Sequence, residues 1–242
     1  MPEQRSATET AVLRLSEGRY TDAGEMYATA ARGCLYGESV SRKTAYESRG
    51  RSGVGRAFAQ FARSSVCHRI SGDEDRATLV AREGVAVAKE LRDHVLTDVV
   101  EGSACDEFIG DMRASAGLSP DGAYDSADEG YAEVSDGASE TGRPFLQAGT
   151  ELLSHLSRPD DMGWDDIHGS GGDALGRRIR TKKARMAALA DERVREGKLH
   201  APRGSTEYNT DRYVCPDCGS TDVNHVGGTK LCLRCSSQTE EV

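Results

Sequence analysis

Apolar residues recur through the first 157 positions at intervals of three and four, the period that turns one face of an α-helix toward a core. Ala7, Ala11, Val12 and Leu15 form a short stripe that Gly18 ends, and Thr21 stands where it caps a second helix carrying Ala23, Tyr27, Ala30 and Ala31. A third helix runs from Val54 to Ile70 with Ala57, Phe58, Phe61, Ala62 and Val66 on its stripe, and Gly72-Asp73 breaks it. Ala77, Val80, Ala81, Val85 and Leu91 mark a fourth, and Leu96, Val99, Val100, Phe108, Ile109 and Met112 a fifth. Ser119-Pro120 reads as an N-cap and first-turn proline opening a sixth, with Ala123, Ala127 and Tyr131; Leu146, Leu152, Leu153 and Leu156 give a seventh. The polar stretch around residues 36–53 reads as a loop or a frayed helix.

The pattern changes after residue 157. Residues 158–172, with Pro159, the acidic pairs around Trp164 and four glycines, form a connector in which Trp164 serves as a packing anchor. Asp173 then caps a long basic helix from Ala174 to about Glu196, which Gly197 ends. Period-two strand character appears only near the C-terminus, where Asp222–Val226 and Thr229–Leu233 flank the hairpin turn Gly227-Gly228. The chain divides into a helical domain (1–157), a connector (158–172), a basic helix with linker (173–204) and a small β unit (205–242). The expected fold class is mainly α.

The segment Gly18-x-Tyr20-x-x-Ala23-x-x-x-Tyr27-x-x-Ala30 resembles the turn and second helix of a tetratricopeptide repeat, with weaker echoes at Gly72, Ala77 and Ala81 and at Ala123, Ala127 and Tyr131. The units recur at about 50 residues where a regular array has about 34. The spacing is closer to the longer helix pairs of tetratricopeptide-like adaptors such as the soluble NSF attachment proteins. An ordinary Ala-rich helical bundle uses the same stripes. The resemblance implies antiparallel helix pairs and protein binding in a concave groove.

Composition narrows the picture. Aromatic residues make up 5% of the chain and hydrophobic residues 37%, so any core is built from Ala, Leu and Val in closely packed helices. Net charge is −9, all of it within residues 1–140, and Arg outnumbers Lys. This acidic, Lys-poor make-up resembles proteins of salt-in halophilic archaea, which bears on habitat and not on activity. No apolar run is long enough to span a membrane, and Met1-Pro2-Glu3-Gln4 lacks the features of a signal peptide. A cytoplasmic protein is expected. Cys34, Cys67 and Cys105 are scattered and read as small core residues.

The strongest chemical signal is Cys215-Pro216-Asp217-Cys218-Gly219 followed, after 13 intervening residues, by Cys232-Leu233-Arg234-Cys235-Ser236. Two residues between cysteines form a knuckle that aims both sulfurs at one point, and four thiolates make the closed tetrahedron that Zn²⁺ takes in structural sites. Four protein ligands leave no open position for catalysis. The second knuckle does not fit a rubredoxin-like iron centre, and a reducing compartment disfavours disulfides. His225 fits neither knuckle. The pattern resembles the zinc ribbons of transcription factor B, transcription elongation factors, RNA polymerase subunits and ribosomal proteins, except that Ser236 stands where the second knuckle is expected to have glycine.

The remaining feature is charge on the long helix. Ten basic side chains, among them Arg177, Arg178, Arg180, Lys182, Lys183 and Arg185, lie between residues 177 and 203 with only three acids. They either track a nucleic-acid backbone or pair with the acidic helical body of the same chain. Asp106, Glu107 and Asp111 read as a solvated face. Gly169-Ser170-Gly171-Gly172 fails as a phosphate loop, because no Gly-Lys-Ser/Thr follows. With no catalytic constellation, the expectation is a non-enzymatic zinc-binding adaptor with a protein partner. The alternative is a nucleic-acid-associated regulator using the ribbon and the basic helix.

Overall fold

A computed structural model of the chain describes residues 5–36, 51–134, 142–157 and 173–242. The helices are α1 (Ala7–Ser16), α2 (Tyr20–Tyr36), α3 (Arg51–Ile70), α4 (Glu74–His94), α5 (Val99–Ser115) and α6 (Asp121–Ala132), then a single turn α7 (Pro144–Gln147), α8 (Gly149–Leu156) and α9 (Ala174–Glu196). The strands are β1 (Ser205–Glu207), β2 (Tyr213–Val214), β3 (Val223–Val226), β4 (Thr229–Cys232) and β5 (Glu240–Glu241). The mainly helical expectation with a small C-terminal β region holds. Most of the expected loop at 36–53 and the connector with Trp164 lie outside the described residues.

Short polar signals set the helix ends. Ser6 and Glu9 close a reciprocal capping box on α1, Asp73 accepts from the Arg76 amide to start α4, and Asp98 accepts from the Glu101 amide to start α5. Gly197 ends α9 in the left-handed region, with the Lys198 amide returning to the Arg193 carbonyl at 3.1 Å. Two expected caps move. Helix α2 already begins at Tyr20, which puts Thr21 inside its first turn. Pro120 takes the cap position of α6, while the Ser119 carbonyl accepts from Arg113 Nε.

Consecutive helices pack as antiparallel pairs, and the pairs close around α3. That helix meets α2, α4, α5, α7, α8 and α9, and it buries Val54, Ala57, Phe58, Phe61, Ala62, Val66 and Cys67 in one continuous core. A helix enclosed on several sides needs small residues where backbones approach. Ala23, Tyr27 and Ala30 are buried as the stripe on α2 predicts, and Ser64 Oγ donates to the Gly24 carbonyl at 2.7 Å. Phe58, Phe108 and Phe145 fill the centre with ring centroids 5.2–6.4 Å apart. Two bidentate pairs, Arg76–Glu25 and Arg32–Glu83, run in the same sequence direction and set α2 parallel to α4. Cys67 and Cys105 are buried, as expected, and Cys34 is partly so.

Helix α9 belongs to this core. Leu175, Ile179, Met186, Leu189 and Ala190 join the same cluster as α3 and α5, and α9 packs on α3, α5, α6 and α8. Beyond it, β1, β3 and β4 form an antiparallel sheet in the order β1-β3-β4, while β2 pairs with β5. The hairpin turn falls on Gly227 and Gly228, both at positive φ (58° and 65°), as a two-residue turn between right-twisted strands requires. Among the described residues no helix is long and apolar enough to cross a membrane.

Candidate metal centre

The sheet brings the two knuckles together. Strand β4 ends at Cys232, opposite Val223 on β3, while β2 leads into Cys215. The knuckles close with the same two backbone hydrogen bonds. The Cys215 carbonyl accepts from Gly219 N and the Cys215 amide donates to the Ser220 carbonyl, both at 2.9 Å. The Cys232 carbonyl accepts from Ser236 N at 2.9 Å and the Cys232 amide donates to the Ser237 carbonyl at 2.7 Å. Gly219 and Ser236 therefore occupy equivalent places, with φ of 70° and 63°. Glycine adopts that region freely, whereas a residue with a Cβ loses about 1–2 kcal/mol there.

The ligating atoms of Cys215, Cys218, Cys232 and Cys235 all lie within 4.8 Å of one another. Across the knuckles, Cys215 and Cys235 stand 3.4 Å apart and Cys218 and Cys232 3.5 Å apart. A tetrahedral zinc with bonds of about 2.3 Å separates its sulfurs by about 3.8 Å, so the donor set and spacing fit one ion. The Asp217 and Cys218 amides face the Cys215 sulfur, and the Arg234 and Cys235 amides face that of Cys232. Such donors stabilise thiolate charge.

Burial raises the Cys215 thiol and pushes that of Cys232 up to about 12. At Cys235 burial acts in the same sense, but hydrogen bonds from Ser237 outweigh it and bring the thiol down to about 7. A divalent ion bound here would offset the burial at Cys215 and Cys232. His225 stands apart, 3.3 Å from Glu207 on the neighbouring strand.

A second polar assembly sits inside the helical body, and it corrects two expectations. Glu107 and Asp111 are not a solvated face; they are 1% and 2% exposed. Nor are all six basic residues of the α9 group open to a phosphate backbone, since Arg178 and Lys182 are both 0% exposed. Arg178 donates through Nε and Nη2 to the two oxygens of Glu107 at 2.9 and 2.7 Å, and through Nη1 to the Leu146 carbonyl at 3.1 Å. Lys182 Nζ lies 2.7 Å from Glu107 and 2.5 Å from Asp111. Tyr131 OH donates to Glu107 at 2.7 Å and Tyr124 OH to Asp111 at 2.9 Å.

Burial alone would neutralise both acids. At Glu107 the charges of Arg178 and Lys182 overcome it and hold the carboxyl well below its usual range. At Asp111 burial prevails over Lys182, with Glu107 adding repulsion, and its carboxyl rises. Space for the bidentate pair comes from Gly149, where a Cβ would stand 2.9 Å from Arg178 Nη2 and 3.0 Å from Glu107 Oε1. On the outer side of α9, Arg180 pairs with Asp173 and Asp128, and Lys183 with Asp125. Arg177 and Arg185 are exposed.

Arg63 and His155 form a third buried contact that the sequence pattern did not single out. Arg63 Nε donates to His155 Nδ1 at 3.1 Å, and His155 Nε2 meets the His200 carbonyl at 2.6 Å. Burial, and then the Arg63 charge, take the imidazole down to about 3. No family model, curated protein or solved structure matches the chain.

Proposed function

We propose that the chain is a zinc protein in which one structural Zn²⁺, bound by Cys215, Cys218, Cys232 and Cys235, holds the ribbon, and that the whole works as a non-catalytic adaptor for a protein partner. The convergence of four sulfurs within 4.8 Å carries the metal reading. Four thiolates saturate a tetrahedral ion, so the metal supplies fold energy to a unit too small to hold itself by apolar burial. In this reading the antiparallel helix pairs form a tetratricopeptide-like body that presents binding surface, in an acidic cytoplasmic protein of halophile-like composition.

The pairing of α9 favours this reading over a nucleic-acid regulator. Arg178 and Lys182 spend their charge on Glu107 and Asp111, and Arg180 and Lys183 face acids of the same chain. Counterion release from a nucleic-acid backbone scales with the number of cations that reach phosphates. Purification of the tagged full chain from its native host, with and without nuclease, tests the choice. Protein partners that survive nuclease support the adaptor; partners lost with it favour the nucleic-acid regulator.

A further inference from the structure

We propose that Ser236 couples the metal centre to the helical body. The turn that closes the second knuckle also carries the hydroxyl that docks the ribbon on the segment following α9. This inference rests on the metal reading of the four cysteines.

The comparison of the knuckles isolates the residue. Gly219 closes the first knuckle, and a Cβ built there meets nothing within 4 Å. Ser236 closes the second in the same left-handed conformation, although a serine is strained there and a glycine is not. It is buried, and its Oγ accepts from the Ala201 amide at 2.9 Å and lies 3.3 Å from His200 Nδ1. The strained turn is thus the one that touches the body.

Polar contacts continue inward without a break. The His200 carbonyl faces His155 Nε2, and His155 Nδ1 accepts from Arg63 on α3, which also reaches Glu151 on α8. An arginine only donates, so Nδ1 is the acceptor and Nε2 carries the proton given to His200. A second seat lies at the hairpin tip. There a Cβ on Gly227 would stand 2.9 Å from Cβ of Val12 on α1, and Val12 is itself 1% exposed. Four metal–sulfur bonds would keep the loop Cys232–Cys235 closed and hold Ser236 at positive φ. Release of the ion frees that turn to relax, which withdraws Oγ from Ala201 and His200 and lifts the hairpin from Val12.

Hydrogen exchange on the full-length chain, read by mass spectrometry, tests the coupling with Ser236→Ala and Ser236→Gly. The glycine variant guards against misfolding, because it relieves the backbone while removing the hydroxyl. Both variants are expected to retain one zinc per chain and to exchange roughly tenfold faster than wild type over residues 197–204, the effect of losing one buried hydrogen bond. Chelation of wild-type zinc should speed the same residues and those around Val12. Full wild-type protection in both variants, or unchanged protection after chelation, overturns the proposal. A wild-type chain that takes up no zinc overturns the metal reading and with it the coupling, and faster exchange in the Ser236 variants would still establish the dock.

Discussion

Two regions of this molecule gather polar groups by opposite means. In the ribbon, four sulfurs come from two loops 13 residues apart and converge on a point that a cation suits. In the helical body, two acids and two bases come from α5 and α9, and each closest pair, Glu107 with Arg178 and Asp111 with Lys182, is separated by 71 residues. The body supplies both signs of charge itself, so its assembly is complete. The ribbon supplies only donors to a cation. The first arrangement gathers four donors that suit a metal ion; the second makes a seam between two helices.

The sharpest way to break that comparison is to remove the cation. Cys232→Ser, or exhaustive chelation, is expected to unfold residues 213–235 while leaving the helical circular dichroism signal nearly intact, because the core around α3 contains no ribbon residue. Loss of the entire helical signal would show that the two regions fold as one.

Removing one member of the internal seam should cost less than a whole unit but still a great deal. Glu107→Leu leaves Arg178 and Lys182 buried with one carboxylate between them, and a cost of about 3–5 kcal/mol is expected in denaturant unfolding. Pairing it with Arg178→Met should recover much of the loss, since two apolar residues leave no orphaned charge. A Glu107→Leu protein as stable as wild type would mean that water reaches the seam.

Acid provides the third probe. His155 titrates near 3 in the fold and near 6.5 when unfolded, so between those values only the unfolded chain takes up the proton. Stability should therefore fall as pH drops from about 6.5, by up to about 1.4 kcal/mol per pH unit from this group. His155→Gln should flatten the slope of the urea midpoint against pH over that window. An unchanged slope would place the acid sensitivity elsewhere.

The smallest expected effect lies on α2. Ala23 is fully buried at its approach to the core, and Ala23→Leu should lower stability by about 1–3 kcal/mol through overpacking. A neutral thermal midpoint would mean that the contact yields to the larger side chain.

The two regions also differ in how openly the sequence displays them. The knuckle spacing is local, so the four cysteines and the Gly227-Gly228 turn could be read directly. Helix stripes and the Asp173 and Gly197 ends of α9 were legible for the same reason, whereas the caps expected at Thr21 and Ser119 moved. The seam was hidden because its members look like surface residues until their positions are phased. Arg178 and Lys182 fall on the face shared by Leu175, Ile179, Met186 and Leu189, and Glu107 and Asp111 flank Phe108, Ile109 and Met112. Charged residues in apolar slots, four apart on two helices, were the available signal, but which helix meets which is a tertiary fact. Ser236 was visible as a departure from glycine. Its reason, a contact with His200 and Ala201, lay 35 residues away.

The central claim is that the C-terminal region is organised by one metal ion held by four thiolates. Native mass spectrometry of the full-length chain, as isolated and after Cys215→Ser, tests it most directly. One zinc per wild-type chain, and loss of that equivalent in the variant, is the predicted result. A metal-free wild-type chain, or a Cys215→Ser chain that keeps a full equivalent, would contradict it.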